Sequence, residues 1–122
     1  MCEIKINNNF SSEVIRECII YIENNLDKKI KLDDLSIISG YTKWHMCRVF
    51  KKIYGISFGK YILLRKLSCA ALDLKQNQKI IDISINYGFD SQQSFARAFK
   101  NHFNKTPSEY RRINMGLLQK SS

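Results

Sequence analysis

Apolar residues along this chain recur three and four positions apart, the spacing that lines one face of a helix. In residues 12–25, Val14, Ile15, Cys18, Ile19 and Ile22 follow serines suited to capping, which predicts a first helix over Ser12–Asn25. Leu32, Leu35 and Ile38 predict a short second helix that stops at Gly40, and a third runs from Thr42 to Tyr54 and stops at Gly55. A long fourth begins near Ser57 and continues through "FGKYILLRKLSCAALDLK" to a polar joint, "QNQK". A fifth covers Ile80–Tyr87 before Gly88, and a sixth, Gln92–Phe103, follows Ser91. In "TPSEYRR", Thr106 is placed as N-cap, Pro107 at the first helical position and Glu109 three after the cap, so a capping box opens a seventh helix. Met115 to Ser122 is expected to fray. With five glycines and one proline in 122 residues, the fold class is all-α.

The pattern repeats. "DLSIISGY" at 34–41 aligns with "DISINYGF" at 82–89, with Asp, Ser, Ile and Gly identical. After one extra residue in the second turn, Met46 falls on Phe95, Arg48 on Arg97, Phe50 on Phe99, Lys51 on Lys100, Ser57 on Thr106 and Tyr61 on Tyr110. A short helix, a glycine turn and a capped second helix make a helix-turn-helix. Any single helix can end at a glycine, but two copies with matching cations on the second helix point to one unit used twice. About seven helices therefore form two helix-turn-helix subdomains joined by a long central helix. The expected organisation is an N-terminal arm, 1–11; a domain over 12–113 with its first helix-turn-helix at about 33–54, linker helix at about 57–75 and second helix-turn-helix at about 80–103; and a C-terminal tail, 114–122.

At roughly 100° per residue, Met46, Val49, Phe50 and Ile53 share one side of the third helix, while Trp44, Cys47, Arg48, Lys51 and Lys52 share the other. His45 lies on the flank. In the second copy Phe95, Ala98 and Phe99 face inward, and Gln93, Ala96, Arg97 and Lys100 face outward. The lone tryptophan thus sits with cations, and a large exposed apolar group marks an interface more often than a solvated face.

Charge narrows the partner. Lys and Arg number 20 against 11 Asp and Glu, a formal charge of +9, and so much self-repulsion in a short chain favours an anionic partner. No segment has the roughly 18 consecutive apolar residues of a membrane span, and no signal peptide opens the chain. Cys2, Cys18, Cys47 and Cys69 form no CxxC pair and read as reduced thiols of a cytoplasmic protein. A DNA major groove admits a helix: Arg bonds guanine bidentately, Gln bonds adenine, and Trp or Ala packs on a thymine methyl. Helix-start hydroxyls and lysines hold phosphates and fix register. Two readers must stand about 34 Å apart to enter successive grooves on one side of the duplex, and a helix of about 18 residues is about 27 Å long, a suitable spacer. One chain carries both readers, so a monomer suffices, and because they differ the site should be asymmetric.

The segments "SGYTKWHMCRVFKK", "YGFDSQQSFARAFKNHF" and "TPSEYRR" resemble the DNA-binding domain of the AraC/XylS transcriptional regulators, in particular the stand-alone MarA/SoxS/Rob type, over about residues 12–113. The resemblance implies a bacterial activator of stress and multidrug-resistance promoters that binds degenerate double-stranded sites as a monomer and contacts RNA polymerase. It implies base reading by Trp44, Cys47 and Arg48, and by Gln92, Gln93, Ser94, Ala96 and Arg97. Thr42, Lys43, Lys51, Lys52, Lys60, Ser91, Lys100 and Arg111 are the expected DNA-backbone contacts. It also implies a cytoplasmic, nucleoid-associated protein with no effector domain, cofactor, metal or enzymatic activity. Departures are Cys47 for a longer polar residue, Ala96 for a hydroxyl residue, a joint without the usual proline, and Asn104 for glycine.

Three other readings compete with this one. A zinc site fails on geometry, since His45 and Cys47 point about 200° apart on a helix. Cys47 among Arg48, Lys51 and Lys52 makes a redox-sensitive DNA-binding regulator the milder alternative. A membrane-surface or protein-only adaptor would need its apolar faces free, whereas here they are needed for the core.

Overall fold

The computed structural model describes residues 2–121, and side chains over 13–114. Seven α-helices follow one another: α1 (Cys2–Asn24), α2 (Leu32–Ser39), α3 (Lys43–Tyr54), α4 (Phe58–Leu74), α5 (Ile80–Asn86), α6 (Gln92–Phe103) and α7 (Pro107–Ser121). No strand occurs among the described residues. Two bounds differ from the sequence reading. Helix α1 starts at Cys2, so Ser11 and Ser12 lie inside it; no Gly or Pro stands in 2–11 to stop it. Helix α7 continues past Met115, where no proline interrupts it.

The chain forms two compact units, 1–26 with 30–62, and 27–29 with 63–122, and α4 gives residues to both. In the first, α1 buries Ile15, Cys18 and Ile22, α2 buries Leu35, and α3 buries Met46 and Phe50. The Phe50 ring stacks on Phe58 (3.9 Å between centroids) and meets Tyr61 edge-on. Burial, with a smaller push from Glu17, raises the Cys18 thiol to about 11, so this cysteine is an inert core group. Cys47 and Cys69 are free and half-buried.

In the second unit, Leu67, Ala70 and Leu74 of α4 pack with Ile83, Phe95 and Phe99, flanked by Phe103 and Tyr110. The α7 capping box is present: Glu109 accepts from the Thr106 N–H at 2.8 Å, and the Glu109 N–H donates to Thr106 Oγ1 at 3.1 Å. Those bonds hold the Glu109 carboxyl below its usual range.

The glycines that end the short first helices differ in what surrounds them. Gly40 is left-handed (φ 76°) in open space, and so is Gly55 after α3 (φ 80°). Gly88 (φ 73°) has the Lys28 carbonyl carbon only 3.0 Å from where a Cβ would stand. Gly88→Ala therefore adds a backbone clash to the left-handed strain, whereas Gly55→Ala adds the strain alone. Urea unfolding should show Gly88→Ala losing about 1–3 kcal/mol and Gly55→Ala distinctly less. Equal losses would mean that the close approach of 27–29 contributes nothing.

Candidate nucleic-acid interface

Both second helices begin with a hydroxyl cap, which fixes the direction in which the outer face points. Thr42 is extended (φ −64°, ψ 157°) and its side chain accepts from the His45 N–H at 3.1 Å. Ser91 accepts from the Ser94 N–H at 3.0 Å, and the Ser94 hydroxyl accepts from the Ser91 N–H at 3.2 Å, a reciprocal capping box. The Ser94 hydroxyl also donates to the Ser91 carbonyl. Both serines thus serve the cap, which fixes the start of α6.

Behind each cap the predicted faces separate. In α3, Met46 and Phe50 are fully buried, Val49 and Ile53 half-buried, and Trp44, Arg48, Lys51 and Lys52 exposed. Trp44 keeps 67% of its surface accessible. Cys47 is half-buried beneath the same face. In α6, Phe95 and Phe99 are fully buried, while Gln92, Gln93, Arg97 and Lys100 are exposed and Ala96 is half-buried. Helix geometry, with the inner phenyl rings anchored in each unit's core, turns these groups outward on each helix.

A surface cleft of about 490 Å³ runs along α3, lined by Trp44, Cys47, Arg48, Lys51, Lys52 and Ser57. The Arg48 guanidinium carbon lies over the Trp44 ring, 4.6 Å from its centroid. His45 packs edge-on against Tyr41 (4.6 Å, 87°). Among the described residues, no three of His, Cys, Asp and Glu come together where they could hold a metal ion. No helix among the described residues is long and apolar enough to cross a membrane.

Two of the cations assigned to phosphate by sequence, Lys43 and Arg111, have partners inside the protein. Lys43 pairs with Asp33 at 2.8 Å on the surface, which lowers the Asp33 carboxyl and raises the Lys43 ammonium. Both groups are solvated, so phosphate can exchange for Asp33 at little cost. Arg111 is different. Its Nε donates to the Leu74 carbonyl at 2.9 Å and its Nη2 to the Gln78 carbonyl, so it ties the end of α4 and the joint to α7. Carbonyls at the C-terminal end of a helix attract a cation, and two of the five guanidinium donors are engaged in this way. Thr42 and Ser91 are caps, and Lys51, Lys52, Lys60 and Lys100 are exposed.

Sequence reasoning overlooked Lys66. It is 7% exposed and donates to the Lys28 carbonyl at 2.7 Å and the Tyr87 carbonyl at 2.8 Å. Lys29 pairs with Asp90 beside it. Lysine at an inward position of α4, among Leu63, Leu67 and Ala70, was the available signal.

A helix-turn-helix domain family matches residues 35–113. A transcriptional regulator of Chromobacterium violaceum with an AraC-type DNA-binding domain superposes with a TM-score of 0.76 at 31% identity, covering 83% of this chain and 91% of that one. The HTH-type transcriptional activator AarP of Providencia stuartii is 47% identical over 108 residues, 88% of this chain and 80% of AarP. This chain belongs to the AraC family. Within it the chain is of the MarA/SoxS/Rob type: the multiple antibiotic resistance protein MarA of Escherichia coli is 43% identical over 108 residues, 88% of this chain and 85% of MarA. As an AraC-family member it is a DNA-binding transcription regulator.

The structure also accounts for one departure from the AraC pattern. Asn104 ends α6 in the left-handed region (φ 63°), as Gly55 ends α3, and asparagine tolerates that region. Cys47 stands in the cleft with Trp44 and Arg48 beside it.

Proposed function

We propose that this AraC-family protein activates bacterial stress or multidrug-resistance promoters, working in the cytoplasm by recruiting RNA polymerase to an asymmetric, degenerate site that it binds as a monomer. Helices α3 and α6 enter successive major grooves. Trp44, Cys47 and Arg48 face the bases of one groove, and Gln92, Gln93, Ser94, Ala96 and Arg97 those of the other. Thr42, Lys43, Lys51, Lys52, Lys60, Ser91 and Lys100 hold phosphates, and Arg111 joins them through the donors that Leu74 and Gln78 leave over. The observation that carries this is the presence, in one chain, of two capped helices with matching arginines and lysines but different residues around them. Identical heads would favour a palindrome; unlike heads favour unlike half-sites. The names of AarP and MarA, an activator and a resistance protein, support the promoter class.

Selection of duplex DNA from a random pool, followed by measurement of protein bound per site, tests the proposal. The expected product is an asymmetric sequence with two short blocks about one helical turn apart, occupied by one chain. A palindrome bound by two chains would overturn it.

A further inference from the structure

The contact between Trp44 and Arg48 has no counterpart in the second head. Residues 44 and 48 are four apart on α3, so their side chains lie one above the other on the same face. The guanidinium sits over the indole at 4.6 Å, within the range of an attractive cation–π contact. Trp44 is mostly solvated, so its ring serves an outward-facing group and not the core. In α6 the residue four before Arg97 is Gln93, which has no aromatic face.

We infer that Trp44 is a positioning residue for Arg48: its indole holds the guanidinium as a preformed fork, and so sets how strictly the base opposite Arg48 is read. This rests on the base-reading role proposed above for Arg48. A guanidinium is planar, and its five N–H donors lie in that plane. A cation–π contact spends none of these donors, so they stay available for the two acceptors of a guanine edge. A long arginine side chain otherwise samples many rotamers, most of which miss that edge. Restricting them before the DNA arrives favours the correct base over wrong ones, because only the correct base meets the fork in its held geometry. Trp44 thus acts on a base pair through Arg48, beyond whatever methyl group its own ring touches.

The test uses the full chain and the duplex recovered by selection, with each base pair varied in turn. Wild type, Trp44→Leu, Trp44→Phe, Arg48→Ala and the Trp44→Leu/Arg48→Ala double variant are compared. Trp44→Leu should flatten the preference on the order of 3- to 5-fold at the same base pair that Arg48→Ala flattens. Trp44→Phe, which keeps an aromatic face, should restore most of that preference. The double variant should be no flatter there than Arg48→Ala. Thermal unfolding should show the Trp44 variants folded, since the side chain lies outside the core. If Trp44→Leu leaves that base pair's preference intact, or Phe and Leu behave alike, the inference is overturned. If Arg48→Ala flattens no base pair, the base-reading assignment itself has failed and the inference falls with it.

Discussion

Arg48→Ala and Arg97→Ala should each weaken binding to the selected duplex by about 1–3 kcal/mol and relax the preference at one base pair. The two affected positions should lie in different blocks of the site, because the arginines stand on α3 and α6 at matching positions of the repeat. The contrast is with the lysines. Lys51→Ala or Lys100→Ala removes a point charge proposed to face phosphate, which carries no sequence information. Such a variant should weaken all duplexes by a similar factor and reduce the slope of affinity against salt by about one counterion. Equilibrium titrations at several salt concentrations, on matched and single-mismatch duplexes, separate the two behaviours. Arginine variants that keep every base preference would show that the heads read DNA shape and charge without direct contact to those bases.

Lys66→Met should destabilise the protein by about 2–4 kcal/mol in urea unfolding. Methionine has nearly the length of lysine and suits the surrounding Leu67 and Ala70. What it lacks are the donors that Lys66 gives to the Lys28 and Tyr87 carbonyls. Those carbonyls belong to the 27–29 segment and to the turn of the second helix-turn-helix, where Gly88 allows the two backbones to approach. Burial lowers the Lys66 ammonium below its ordinary value; Asp27 offsets this in part and Lys29 adds to it. The folded state therefore releases this proton at a lower pH than the unfolded state does. Wherever the unfolded chain holds more protons, stability rises with pH. The advantage of wild type over Lys66→Met should accordingly grow as pH rises from the folded value of Lys66 towards about 10.4, the unfolded one. A neutral amine still has donors for both carbonyls, so the hydrogen bonds survive this titration. An advantage that shrinks over the same range would show that the charge, and not the donors, holds the turn.

Much of this could be read from the chain alone, because it follows from local rules. Helix periods, the Thr42, Ser91 and Thr106 caps and the left-handed glycines depend on neighbours a few residues away, and the structure shows them where the sequence placed them. The outward turn of Trp44, Arg48 and Arg97 follows from the same period once Phe50 and Phe99 are assigned to the core. The start of α1 was missed because serines inside a helix look the same in sequence as serines that cap one.

Contacts between distant segments were decided by tertiary structure. Nothing near Arg111 reveals that its guanidinium meets the carbonyls of Leu74 and Gln78, more than thirty residues earlier. Nothing near Lys66 reveals Lys28, thirty-eight residues away, nor why Gly88 must lack a side chain while Gly40 has open space. Sequence by itself determined which faces turn outward, since helical geometry is local. Tertiary structure decided which cations are paired within the fold and which stay solvated, because that depends on the carbonyls and carboxylates that folding brings within reach.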